Sequence, residues 1–315
     1  MSEADASHLR APLAHFGGAK PPAPAWFDTA LAHAPERRFV TVDGARIETL
    51  SWGERGKPGL LFLHGNGAHA DWWRFIAPFF AADYRVAALS WSGMGASDHR
   101  PAYSLDLFVA EAFGVAEAEG LFDSAEKPLF VAHSFGGFPL MGCAARHGDR
   151  LRGAVMVDTP VRHPDEDSPR RRGRPAGAPR PHRVYPTIEE ALARFRFAPE
   201  QPCTNLFIAD HIARTSLQAV DGGWTWKFDP FLWSAFELGD TRTLLADVEA
   251  PFALMWGDRS MLMPPEVTRQ MVDTMPRGSP AIVVPDAAHH VMMDQPLAFV
   301  AALRALFAAW PRSGR

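Results

Sequence analysis

Three short stretches of this sequence carry side chains able to work on an acyl group. In Val131-Ala-His-Ser134-Phe-Gly136-Gly137 a serine stands directly after an apolar run and directly before a helical pattern. A serine placed there sits on a sharp turn that pushes its hydroxyl out of a sheet edge, and such a turn needs small neighbours on both sides. The expected spacing is Gly-x-Ser-x-Gly, and here Ala132 stands in the first glycine position. The N–H groups at the following helix start can stabilise a developing oxyanion. A serine that only caps a helix beginning at Phe135 would occupy the same place. The second stretch, Leu63-His64-Gly65-Asn66-Gly67, ends an earlier apolar run; glycine there lets the backbone turn towards the serine, as it would in any glycine-rich turn. The third, Asp286-Ala-Ala-His289-His290-Val-Met-Met-Asp294-Gln-Pro296, lies near the chain's end. A histidine in such a loop can lie over the sheet edge and take the serine proton, and the doublet offers two candidates.

The elements that must position these residues alternate. Gly59 to Leu63 is a continuous apolar run, as expected of a strand buried on both faces. Phe39–Val42 and Ile47–Trp52 flank Asp43-Gly44 and read as a hairpin. Further strands are expected at 84–89, 128–132, 151–157, 251–256 and 281–284. Helices are expected at 24–33, 70–82, 105–119, 135–146, 264–274 and 296–310. This alternation predicts an α/β fold, a doubly wound and mostly parallel sheet with helices on both faces. Residues 160–248 break it, with helical stretches at 187–197, 205–217 and 231–238 and no convincing strand. They read as a helical insertion. Residues 1–20 read as a mobile tail, leaving 21–159 and 249–315 as the core. The proline- and arginine-rich run 169–183 cannot build a packed core and reads as a loop, solvated rather than a basic anion or nucleic-acid patch, since no aromatic residues interleave its arginines.

Together these motifs resemble those of the α/β-hydrolase superfamily over residues 36–312. His64-Gly65-Asn66-Gly67 resembles its oxyanion loop, which implies the Asn66 N–H as one donor and the Phe135 N–H as the other. Trp91-Ser-Gly-Met-Gly-Ala-Ser97-Asp98 is similar to the family's Gly-x-Gly-x-Ser-Asp turn. The stretch 288–296 aligns with Gly-His-x-x-x-x-Glu-x-Pro, a register that puts the catalytic base at His289 and leaves His290 flanking it. Gly65, His133 and Trp72 complete the expected oxyanion- and substrate-binding set. The sequence departs from the family at the acid: after the seventh strand, where the resemblance implies Asp, stands Ser260, with Asp258 two residues early. Asp158, at the end of the preceding strand, is the expected acid, and Asp258 is the alternative. The resemblance makes 160–248 a helical cap, whose nine aromatic residues from Phe195 to Phe236 line a pocket or form the cap's own core.

Ser134 as nucleophile implies an acyl-enzyme and argues against the branches that attack with Asp, the haloalkane dehalogenases and epoxide hydrolases. Tyr185, the cap's sole tyrosine, also speaks against epoxide opening. Carboxylic ester hydrolysis of a small, largely apolar substrate is the leading expectation; lactone, amide or C–C cleavage shares the same parts, and a non-catalytic ligand-binding protein is the reading from another class. The composition agrees with a globular chain: 315 residues, 47% hydrophobic, 22% charged. A net charge of −4 gives no global field for nucleic acid. No apolar run is long enough for a membrane span, and the first twenty residues, acidic early and without an apolar stretch, do not read as a secretory signal. Two cysteines make no disulfide framework, and no metal-ligand spacing occurs. A cytoplasmic protein with no cofactor or metal, monomeric or homodimeric, acting on a small molecule, is expected.

Overall fold

A computed structural model describes residues 11–161, 180–237 and 241–311. Its centre is an eight-stranded sheet in the order β1-β2-β4-β3-β6-β7-β11-β12. In chain order the strands are β1 (Glu36–Val42), β2 (Ala45–Trp52), β3 (Gly59–Leu63), β4 (Arg85–Leu89), β5 (Tyr103–Ser104), β6 (Leu129–His133), β7 (Gly153–Val157), β8 (Leu217–Val220), β9 (Gly223–Trp226), β10 (Phe236–Glu237), β11 (Phe252–Gly257) and β12 (Ala281–Val284). β2 runs antiparallel to both β1 and β4, and the remaining pairs of the large sheet are parallel. Every residue of β3, β4, β6 and β7 is buried, because helices cover both faces. That is why these strands read as unbroken apolar runs.

One face packs under the helices Ala25–Ala32 and Pro296–Ala309, and the other under Leu105–Ala118, Gly137–Arg146 and Pro265–Thr274. Ser104 caps the helix Leu105–Ala118, its side chain accepting the Leu107 N–H at 3.2 Å. Among the described residues no helix is long and apolar enough to cross a membrane.

Four expectations need correction. The helix expected over 70–82 is two 3-10 turns, Ala70–Trp73 and Ala77–Phe80, because Pro78 has no N–H to donate to the Arg74 carbonyl and disfavours helical backbone at the residue before it. The insertion does contain strands. β8 and β9 form an antiparallel hairpin about Asp221-Gly222, with Gly222 at φ +82°. Where a helix was expected over 231–238, a 3-10 turn at Leu232–Ser234 leads into β10, which pairs in parallel with β5; Leu238 lies outside the described residues. Residues 11–20 are no tail: Leu13 is 3% exposed, and the Arg214 guanidinium donates to the Gly18 carbonyl at 2.6 Å. Residues 1–10 and most of the arginine-rich run, 169–179, lie outside the described residues.

Candidate active site

β6 delivers Ser134 in a left-handed conformation, φ +52°. For a residue with a Cβ this costs about 1–3 kcal/mol and is held only where surroundings enforce it. The enforcement is visible. A Cβ on Gly136 would stand 2.6 Å from the His64 carbonyl, and one on Gly137 would stand 2.2 Å from Thr159 Oγ1. Thr159 Oγ1 donates to the Ser134 carbonyl at 2.7 Å, fixing the turn from the neighbouring strand end. Ala132 is accommodated at the position that usually holds glycine.

The structure brings Ser134, His289 and Asp158 together. His289 Nε2 lies 2.9 Å from Ser134 Oγ, and His289 Nδ1 lies 2.7 Å from Asp158 Oδ1. With a carboxylate at Nδ1, that nitrogen carries the proton, and Nε2 is left with a lone pair facing the hydroxyl. Asp158 ends β7 at φ +49° and is wholly buried. Besides His289 it accepts the Ser260 hydroxyl on Oδ1 at 2.6 Å and the Gly257 N–H on Oδ2 at 3.0 Å. Asp258 is not brought there: it is exposed, and its carboxylate accepts the Ala287 N–H at 3.3 Å. Ser260, standing where the resemblance implied an acid, thus holds Asp158 at the end of the strand before. Its role was missed, and only its position hinted at it.

Sequence reasoning also missed what holds the histidine loop. Gln201 Nε2 donates to both Asp294 carboxylate oxygens at 3.1 and 2.9 Å, while its Oε1 accepts the His290 N–H at 3.0 Å. Asn205 Nδ2 donates to the Met293 and Asp294 carbonyls. Asp294 itself accepts the Ala288 N–H at 2.8 Å. Burial, with Asp158 nearby, pushes the Asp294 carboxyl up to about 6, against those hydrogen bonds.

The loop 64–67 is fixed from beneath. His64 is fully buried; its Nδ1 donates to the Gly65 carbonyl at 2.7 Å, and its Nε2 accepts the Trp91 N–H at 3.0 Å. Burial pushes its imidazole down to about 3, so it stays neutral. Gly65 passes so close to Ser134 that a Cβ there would stand 3.0 Å from Ser134 Cβ. Among the described residues no acceptor takes the Asn66 or Phe135 N–H. The Asn66 carboxamide oxygen accepts the Trp233 indole N–H at 3.1 Å, and the Phe135 ring packs edge-on against Trp233 at 5.3 Å. His133 Nε2 donates to the His289 carbonyl at 2.9 Å. Trp72 packs against His290, ring centroids 5.5 Å apart.

A cavity of about 840 Å³ opens beside this loop, between Asn66, Gly67 and Trp72 on one side and residues of the insertion on the other. Of the nine insertion aromatics, five line it: Phe195, Phe197, Trp226, Phe228 and Trp233. Phe207 instead packs on Trp26 and Phe27. Arg183, Arg194 and Arg196 also border the cavity, so its wall is less apolar than the aromatics alone suggest. Met263, Met292 and Met293 are core residues, whereas Met261 is 73% exposed.

Residues 60–303 match the sequence profile of the Alpha/beta hydrolase family. Among curated proteins, the mouse epoxide hydrolase 4 is 31% identical over 124 residues, which are 38% of this chain and only 33% of that protein. The chain therefore spans about a third of the length of the first curated relatives it matches. A pimeloyl-[acyl-carrier protein] methyl ester esterase of Chromobacterium violaceum is 27% identical over 82% of this chain and 95% of its own length. Among solved structures, the thioesterase domain from the curacin biosynthetic pathway superposes with TM-score 0.72 at 23% identity, covering 86% of this chain and all but 1% of its own. A thermophilic esterase from Thermogutta terrifontis superposes with TM-score 0.63 at 22% identity, covering 87% of this chain and 98% of its own. The profile match extends over more than half of the residues, and the chain belongs to the alpha/beta hydrolase family.

Proposed function

We propose that this hydrolase is a serine esterase that cleaves a carboxylic ester of a small, largely apolar substrate through an acyl-enzyme. The observation that carries the reading is the unbroken relay from the Ser134 hydroxyl through His289 to Asp158, at 2.9 and 2.7 Å. His289 Nε2 takes the hydroxyl proton as Ser134 Oγ bonds to the ester carbonyl carbon. The carbonyl oxygen gains the negative charge, and the Asn66 and Phe135 N–H groups stabilise it. Asp158 keeps the imidazole oriented and offsets its positive charge. His289 then returns the proton to the departing alkoxide. In the second half-reaction it takes a proton from water, whose oxygen attacks the acyl carbon, and hands that proton to Ser134 Oγ as the acyl bond breaks and the acid leaves.

Residues 160–248 act as the cap, and the cavity bordered by their described residues receives the substrate. The epoxide hydrolase relatives share sequence with part of this chain. Yet position 134 is Ser, and an alkyl-ester intermediate that water can cleave calls for a carboxylate nucleophile there. Lactone and C–C bond hydrolysis use the same parts and belong in the assay. The test is a panel of esters of graded acyl length, with lactones and β-diketones included, on the wild type and Ser134→Ala, alongside labelling by a fluorophosphonate. The expected result is turnover of esters, loss of it in Ser134→Ala and one adduct at Ser134. Folded protein that forms no adduct overturns the reading.

A further inference from the structure

The described residues hold one cluster of three side chains able to ligate a metal ion. It consists of His133, His289 and His290, with one ring nitrogen of each within 4.8 Å of the others. The rings form a closed triangle with centroids 4.8, 5.4 and 4.9 Å apart, and each is at most 3% exposed. Two of them have work. His289 bridges Ser134 and Asp158, and His133 donates to the His289 carbonyl. His290 does not: neither of its ring nitrogens has a hydrogen-bond partner. Trp72 and Phe197 close round the ring at 5.5 and 5.2 Å and offer it no acceptor. Each buried polar atom left unpaired costs about 1–3 kcal/mol, so an imidazole with two of them calls for a compensating role. The Ser134–His289–Asp158 relay gives it none.

The geometry points to a transition-metal site in which His133, His289 and His290 bind a zinc-like divalent ion and so switch the hydrolase off. Imidazole nitrogens suit Zn²⁺, Cu²⁺ and Ni²⁺ and disfavour the hard ions Mg²⁺ and Ca²⁺. With Zn–N bonds near 2.1 Å, ligand atoms of a tetrahedral ion stand about 3.4 Å apart. Each pair of nitrogens would have to close by at most about 1.4 Å to reach that spacing. The ion takes a lone pair of His289. At Nε2 it displaces the Ser134 hydroxyl, and at Nδ1 it displaces Asp158. Either way the imidazole no longer accepts the serine proton. The metal therefore inhibits; it is no cofactor. A cleft of about 300 Å³, bordered by Gln201, Met261, Ala288, His289 and Asp294, reaches one member of the cluster. Sequence spacing hides this site, since His133 and His289 stand 156 positions apart.

The inhibitory consequence rests on the proposed role of His289, whereas the site itself does not, and the experiment separates them. Zn²⁺ binding is measured calorimetrically, and Co²⁺ by visible absorption, on the chelator-stripped full chain. The expected result is one ion per chain in the wild type and in Ser134→Ala. His290→Phe weakens binding about tenfold or more, with ester turnover in chelated buffer close to wild type. Zn²⁺ also slows fluorophosphonate labelling of Ser134 in the wild type, far less in His290→Phe, and a chelator restores it. Equal Zn²⁺ binding by wild type and His290→Phe overturns the proposal, and so does a wild type that binds no Zn²⁺ and gives no Co²⁺ band. Should His290→Phe fail to fold, His290→Gln takes its place, and the wild-type spectrum decides without either. If Ser134 resists labelling even in chelated buffer, the serine-esterase reading falls while the binding measurements still decide the site.

Discussion

Replacing Asp158 by Asn tests the relay at its least accessible link. The carboxylate uses both oxygens: Oδ1 accepts His289 Nδ1 and the Ser260 hydroxyl, and Oδ2 accepts the Gly257 N–H at 3.0 Å. An amide has one oxygen to offer. If that oxygen faces His289, the amide NH₂ confronts the Gly257 N–H, and two buried donors at hydrogen-bond distance cost about 1–3 kcal/mol. The other orientation keeps the Gly257 bond and turns NH₂ towards His289, so Nδ1 must accept and Nε2 must carry the proton. That tautomer donates to Ser134 and cannot take its proton. The structure thus favours the unproductive arrangement, and kcat should fall about 10⁴-fold. At 1.36 kcal/mol per factor of ten this is a loss of about 5.5 kcal/mol of transition-state stabilisation. KM should change little, because Asp158 lies wholly buried behind the imidazole. The assay is steady-state hydrolysis of the best ester in the panel by Asp158→Asn, Asp258→Asn and Ser134→Ala. Wild-type-like turnover in Asp158→Asn, or a larger loss in Asp258→Asn, refutes the reasoning.

Gly136→Ala drives a methyl to 2.6 Å from the His64 carbonyl and should cost about 1–3 kcal/mol, read as a lower melting temperature together with a loss of kcat. Asp294 gives a pH signature. Its carboxyl is raised from 3.8 to about 6, so the folded state binds more protons than the unfolded one between those values. The stability this confers is present below about pH 4 and is lost as pH rises through 6, by up to about 3 kcal/mol. Chemical denaturation of Asp294→Asn across pH 4–7 should lack that fall relative to wild type; identical slopes in the two proteins would contradict the assignment. Burial pushes the thiols of Cys143 and Cys203 up to about 12, so a thiol-titrating disulfide reagent at pH 8 should react slowly with native protein and release two equivalents after unfolding.

The sheet and the residues that meet at its edge were legible because strand ends announce themselves. Apolar runs that stop at His64, Ser134 and Asp158 mark where backbone leaves a doubly covered sheet, and polar side chains there must face the open edge. The acid was only partly legible. Asp158 and Asp258 follow adjacent strands, β7 and β11, so register alone puts both near the histidine. What separates them is backbone direction: Asp158 turns inward at φ +49°, while Asp258 continues outwards to solvent. The insertion was misread for a local reason. Helical periodicity through Ile208, Ile212 and Ala213 ran on into Leu217 and masked the Asp221-Gly222 turn that makes the β8–β9 hairpin. Gln201 and Asn205 were invisible, since their partners lie nearly 90 residues away.

Those two amides give the insertion a second task. Because Gln201 and Asn205 set the backbone around His289, the segment that borders the cavity is also a strut for that imidazole. The insertion is not a detachable specificity module. Exchanging it for a relative's would alter the substrate range and, in the same step, let the imidazole drift from the serine. A lineage that tunes selectivity through this segment must therefore conserve the two amide anchors, or replace them, before it can vary the rest freely.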